Sequence, residues 1–211
     1  MNKVQSTRIK GPAGQLEGLL KFDESVAPRA LAVVCHPHPL FQGTMHNKVV
    51  FATAEAFFGL GCEVLRFNFR GAGLSQGVHD SGKGEVEDAL AAVQFLKQRH
   101  SSLPCHIAGF SFGAWIAMEA ANRDEDIASL TAVAPSFKQS EAEFLTKLTI
   151  PKLFLQGTAD DICPPDGLRS RYPSFAAPKE IVWFEGTGHF FDQQLTALKG
   201  AMVANRQLLG L

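Results

Sequence analysis

The chain has 211 residues, 45% of them hydrophobic, and a formal net charge of −1. This length suits one compact domain, read here as spanning 1–211, able to bury about 70% of its unfolded surface without disulfides or metal. The near-neutral charge offers no basic footprint for nucleic acid, no run of 18 apolar residues spans a membrane, and the opening MNKVQSTRIKGPAGQ lacks the apolar segment of a secretory signal.

The expectation is a cytoplasmic protein. The four cysteines, Cys35, Cys62, Cys105 and Cys163, are widely spaced with no CxxC pair. They read as free thiols of a reducing compartment rather than a disulfide framework or a metal site.

Residues 7–22 alternate loosely around Gly11, Gly14 and Gly18, which predicts a short antiparallel opening. Apolar runs follow at 30–35, 62–67, 105–110, 129–134, 152–156 and 180–184. Short continuous runs of this kind suit parallel strands covered on both faces. Between them, 85–99 places Val86, Ala89, Leu90, Val93 and Leu96 on one helical stripe, and 112–122 and 190–209 carry similar stripes. The last runs through Phe191, Leu195, Leu198 and Met202. Strands alternating with helices imply a mostly parallel sheet with helices on both faces, an α/β fold. Only 17 residues, 135–151, separate the runs at 129–134 and 152–156, too few for an inserted cap domain.

Gly109-Phe110-Ser111-Phe112-Gly113 is a GxSxG match between an apolar run and a helical stripe. In a strand-turn-helix corner this pattern makes a nucleophile elbow: the serine is pushed out at the strand end, and the glycines remove Cβ atoms that would collide where strand and helix cross. The following helix N-terminus turns N–H groups toward a reacting carbonyl. Ser111 is therefore the candidate nucleophile. The partners of such a serine follow in the order acid, then histidine. The loop after 152–156 supplies Asp160, with Asp161 and Glu185 as competitors. Asp160 is preferred because it lies nearer the strand end and Asp161 can cap the following turn. The loop after 180–184 supplies His189, flanked by Gly188 and Phe190, as general base. The loop after 30–35 reads Cys35-His36-Pro37-His38-Pro39-Leu40-Phe41-Gln42-Gly43. One oxyanion donor should come from there and the other from Phe112. Proline has no N–H, so His38 is the first candidate and Leu40 the second. Leu40, Phe41 and Phe190 are candidate substrate contacts at the mouth, favouring an apolar acyl group.

Ordered motifs across roughly 30–192 resemble those of the small bacterial α/β hydrolases that have no lid. They are the His-Pro-His-Pro stretch, Asn68-Phe69-Arg70-Gly71 through Gly73 to Ser75, Gly84-Glu85 to Asp88, the elbow with Gly157 to Asp160, and Gly188-His189-Phe190-Phe191. The resemblance implies an α/β-hydrolase fold with an eight-stranded sheet, and hydrolase activity. Gln42 stands where these loops often carry a glycine.

Two other chemistries are weaker. His36, His38 and His46 could suggest a zinc cluster, but the prolines stiffen the turn and no ordered carboxylate ligands follow. Arg70-Gly71-Ala72-Gly73 lacks the Lys-Ser/Thr ending of a phosphate loop. Hence no metal or cofactor is expected. The reading is a serine hydrolase acting on a small carboxylic ester or thioester through an acyl-enzyme, with acyl transfer or a catalytically quiet binding protein as alternatives.

Overall fold

The computed structural model describes residues 1–137 and 142–211. Its first element is a hairpin, β1 (Asn2–Gly11) and β2 (Gly14–Asp23), paired antiparallel from Asn2↔Asp23 to Gly11↔Gly14. Then come β3 (Ala30–Cys35), α1 (Lys48–Gly59), β4 (Cys62–Phe67), α2 (Lys83–Arg99), β5 (Cys105–Phe110) and α3 (Phe112–Arg123). The rest comprises β6 (Ile127–Val133), β7 (Lys152–Gly157), α4 (Pro165–Arg171), β8 (Lys179–Phe184), α5 (Leu195–Ala204) and α6 (Arg206–Leu209).

One eight-stranded sheet has the order β1-β2-β4-β3-β5-β6-β7-β8. It is parallel from β4 to β8, and β2 joins it antiparallel to β4. The continuous apolar runs become strands buried throughout in β3, β4, β5 and β7, whereas β8, expected to be covered on both faces, is an edge strand and only partly buried. One face carries Val33, Leu65 and Ile107 against α2 and α3; the other carries Val34, Val64 and Phe110 against α1, α5 and α6. Among the described residues no helix is long and apolar enough to cross a membrane. Those between β6 and β7 contain only a short 3-10 turn, Glu143–Thr146, so the sheet has no cap domain over it.

Several elements differ from the sequence expectation, α4 among them, which no stripe announces. The segment α1 does not show as a stripe because it is apolar on almost every side, burying Val49, Val50, Ala52, Ala54, Ala56 and Phe57 between the sheet and α5. Its start is marked by Asn47, whose side chain accepts the N–H of Val49 at 2.9 Å. The helix expected over 190–209 begins only at Leu195 and breaks at Asn205. Phe191 fits the stripe by spacing, yet it lies in a loop with φ 52° and packs its buried ring 5.2 Å from that of Phe184.

The strand order sets where a site can form. From β3 the chain passes to β4 on one side, and β5 returns to the other side of β3. In open parallel sheets the crevice at such a reversal, beyond the carboxyl ends of the strands, is where ligands bind. The loop 36–47 and the Ser111 turn leave from those two strand ends.

Candidate active site

Ser111 sits at the corner between β5 and α3 with φ 58° and ψ −120°, a strained conformation for a residue with a side chain. Its N–H is held by the Val133 carbonyl at 2.9 Å. A Cβ on Gly109 would fall 2.0 Å from the Gly113 carbonyl oxygen, and one on Gly113 2.4 Å from that of His36. The first glycine lets strand and helix cross; the second seats α3 against the loop after β3. A Cβ on Gly157 would fall 2.2 Å from the Thr187 oxygen, so that glycine brings the loops after β7 and β8 together.

Those contacts put three side chains in a line. The Ser111 hydroxyl lies 3.1 Å from His189 Nε2, and His189 Nδ1 lies 2.8 Å from Asp160 Oδ2. A carboxylate only accepts, so Nδ1 carries the proton and Nε2 is left to accept from the serine. All three residues are buried, and the His189 ring packs 4.8 Å from that of Phe110. Burial alone would push the Asp160 carboxyl up, but hydrogen bonds from His189 and from the Cys163 and Ile162 N–H groups outweigh it and hold it below its usual range.

Asp160 itself caps its loop: Oδ1 accepts from Ile162 at 3.0 Å and from Cys163 at 2.7 Å. This corrects the expectation that Asp161 would do so; Asp161 points outward and is exposed. Gln156, at the end of β7, was not anticipated. Its Nε2 donates to Asp160 Oδ2 at 3.1 Å and to the Cys163 carbonyl at 3.2 Å. Cys163 is free and buried, in line with its spacing, and its sulfur lies 3.9 Å from the Ser111 oxygen. Burial, then the Asp160 charge, push that thiol up to about 11.

The loop after β3 is a short 3-10 turn, Pro39–Phe41, capped by His38, whose carbonyl accepts from Phe41 and Gly43 at 3.1 Å each. The N–H of Leu40 turns back onto His38 Nδ1 at 3.3 Å. Gln42 occupies the left-handed region with φ 62°, which explains why glycine suits that position. Phe112 is the first residue of α3, so its N–H has no acceptor within the helix.

A cavity of about 320 Å³ opens over Ser111, lined by His38, Phe41, His79, Phe112, Ile162 and Cys163 among others. Of the three expected substrate contacts only Phe41 lines it. Leu40 stands out on the rim, 69% exposed, and Phe190 packs its ring 5.2 Å from that of His189.

The remaining candidates close on protein partners. Phe69 N–H donates to His36 Nε2 at 3.0 Å, so Nδ1 bears the proton and donates to the Pro37 carbonyl at 2.6 Å. Both ring nitrogens are thereby used, and burial pushes the imidazole down to about 4. Among the described residues no three His, Cys, Asp or Glu side chains converge as a metal site would require. Arg70 grips the buried Asp88 with two bonds, at 3.0 and 2.8 Å. Gly84 makes room, since a Cβ there would fall 2.0 Å from the guanidinium. Arg66 donates to the Met45 carbonyl at 2.9 Å.

The family described as serine aminopeptidase, S33, matches residues 27–146. An uncharacterised protein of Rickettsia prowazekii is 38% identical over 193 residues, covering 87% of this chain and 80% of its own. The chain belongs to this family. It is a small α/β serine hydrolase. A solved α/β serine hydrolase homologue from Coxiella burnetii is 38% identical, with a TM-score of 0.90 over 95% of this chain and 96% of that one. A Xanthomonas campestris structure, described as an α/β serine hydrolase without lid, is 32% identical with a TM-score of 0.89, covering 97% and 94%. The hydrolase thus shares with that relative a sheet that carries loops, and no cap, at its site end.

Proposed function

We propose that the chain folds and works as one domain over 1–211 and cleaves small carboxylic esters or thioesters with Ser111 as nucleophile. The observation that carries this is the continuous line from Ser111 Oγ through His189 to Asp160, at 3.1 and 2.8 Å, ending on a cavity.

His189 Nε2 takes the hydroxyl proton as Ser111 Oγ bonds to the carbonyl carbon, giving a tetrahedral oxyanion. The Phe112 and His38 N–H groups are the donors for that oxyanion. Leu40, the other candidate, has its N–H committed to the His38 ring. Collapse breaks the bond to the leaving oxygen or sulfur, which takes the proton back from His189 and leaves an acyl ester on Ser111. Water then attacks that ester, passing its proton to His189, and the acid departs as Ser111 recovers its hydrogen. Asp160 holds the imidazole tautomer and stabilises the imidazolium formed at each stage.

The test has two parts. A fluorophosphonate probe should label wild-type protein at Ser111 and leave Ser111→Ala unlabelled. A panel of p-nitrophenyl esters from acetate to laurate, acyl-CoA thioesters and an aminoacyl p-nitroanilide then separates esterase, thioesterase and peptidase action. Turnover of Ser111→Ala close to wild type would remove the serine from the mechanism.

A further inference from the structure

The cavity over Ser111 has one wall that hydrophobic substrate binding does not explain. His79 lines it, with its ring 4.7 Å from that of His38 and 5.8 Å from that of Phe112. Behind His79, Nδ1 lies 2.9 Å from Oε1 of the fully buried Glu85. That nitrogen is buried yet poorly aligned for a hydrogen bond with the carboxylate. Glu85 is fixed by the Asp80 N–H at 2.9 Å and the Gly82 N–H at 2.7 Å. Ser81, with φ 52°, and Gly82, with φ 99°, both adopt left-handed backbone, and the bend sets Ser81 in the same wall. With Nδ1 turned to Glu85, Nε2 is the remaining nitrogen of a ring that lines the cavity. A rigidly backed imidazole and a serine therefore face a cavity whose other walls include Phe41, Phe112 and Ile162.

We infer that His79, backed by Glu85 and flanked by Ser81, is a specificity-determining residue that grips a hydroxyl on the part of the substrate seated in this cavity. The inference rests on the reading of that cavity as the substrate site. A hydroxyl fits because it both donates and accepts, and so pairs with Nε2 in either protonation state and with the Ser81 hydroxyl as well. A substrate carboxylate would meet the Glu85 charge behind the ring. An alkyl group of the same size would strip water from Nε2 and give nothing in exchange. Sites built to bond a hydroxyl discriminate strongly against analogues that lack it.

The test compares two isosteric pairs: p-nitrophenyl 3-hydroxybutyrate with 3-methylbutyrate, and 2-hydroxyethyl butyrate with propyl butyrate. The first places the hydroxyl on the acyl side and the second on the alcohol side. In one pair the hydroxylated ester should be favoured in kcat/KM by about ten- to a hundred-fold. His79→Phe should reduce that ratio at least about tenfold, whereas His79→Gln, whose amide can donate and accept, should keep most of it. Ratios unchanged by His79→Phe in both pairs would overturn the inference. Binding of the same esters to Ser111→Ala protein needs no turnover and separates this inference from the serine mechanism. A preference for the hydroxylated ester that His79→Phe abolishes supports it even if no ester is cleaved, and equal affinities within both pairs refute it.

Discussion

Two buried polar networks lie on neighbouring loops, and they end differently. In the first, Arg70 closes on Asp88, Asn68 bridges the Met45 N–H and Glu17, and the Ser75 hydroxyl donates to the Asn68 carbonyl. Each of these polar groups meets another polar group of the protein, so the network can only hold shape. In the second, Asp160 is gripped by Gln156, Ile162, Cys163 and His189, and the line runs on through His189 to a hydroxyl at a cavity. Under the proposed mechanism, similar chemistry is scaffold where it closes and machinery where its last member faces open space. Arg70, His36 and Glu85 sit in motifs as prominent as Ser111, yet only the ending of each hydrogen-bond chain tells the roles apart.

The contrast can be broken at several points. The largest effect should come from Asp160→Asn. Under the proposed mechanism it misholds the imidazole and should lower kcat by about 10⁴-fold, as in the serine-protease precedent. Asp161→Asn, at an exposed neighbour, should change kcat little in the same assay. A reversed order would reassign the acid.

Arg70→Met attacks the closed network. It strands the buried Asp88 carboxylate and should destabilise the fold by about 3–5 kcal/mol in urea unfolding, while the kcat of the protein that remains folded stays near wild type. A large fall in kcat with unchanged stability would move Arg70 into the site.

A third effect follows from His36 and His106, which burial pushes down to about 4. In the unfolded chain such imidazoles take up a proton near pH 6.5. Between those values the unfolded state binds more protons, so stability falls as pH is lowered from about 6.5 to about 4 and is unaffected above that window. Each histidine should contribute a loss on the order of 3 kcal/mol at the acid end. Unfolding free energies from pH 7 to pH 4 check this, and His106→Gln should flatten part of the slope.

The smallest effect sharpens the role of Gln156. Gln156→Leu removes one of the donors to Asp160 and leaves the other three, so kcat should drop about tenfold with KM unchanged. A rise in KM instead would place Gln156 in substrate binding.

Much of this was legible in the sequence because the relevant signals are local. Strands buried on both faces read as unbroken apolar runs; Ser111 follows one directly, Asp160 lies in the loop after another, and His189 lies in the loop after the partly buried edge strand β8. What escaped depends on tertiary partners. The segment α1 has no polar face to give it a period, because the sheet covers one side and α5 another. Phe191 has helical spacing but is held in its loop by Phe184. Gln156 and Cys163 look like ordinary strand and loop residues until the fold brings them to Asp160 and Ser111. His79 carries no motif at all, and only Glu85 and the cavity single it out.

The close backbone approaches at Gly43, Gly113 and Gly157 bear on how readily this hydrolase can change what it recognises. A Cβ on Gly43 would fall 2.1 Å from the Pro37 oxygen, so the loop after β3, like the other two, is fastened main chain to main chain. Leu40, Phe41, Val78 and Ile162 project from those fastened loops and their neighbour into solvent, each more than half exposed. Exchanging them removes little buried surface, so a combinatorial library at these four positions should keep the fold while reshaping the entrance. Glycine positions 43, 113 and 157, by contrast, should tolerate almost nothing else in such a library.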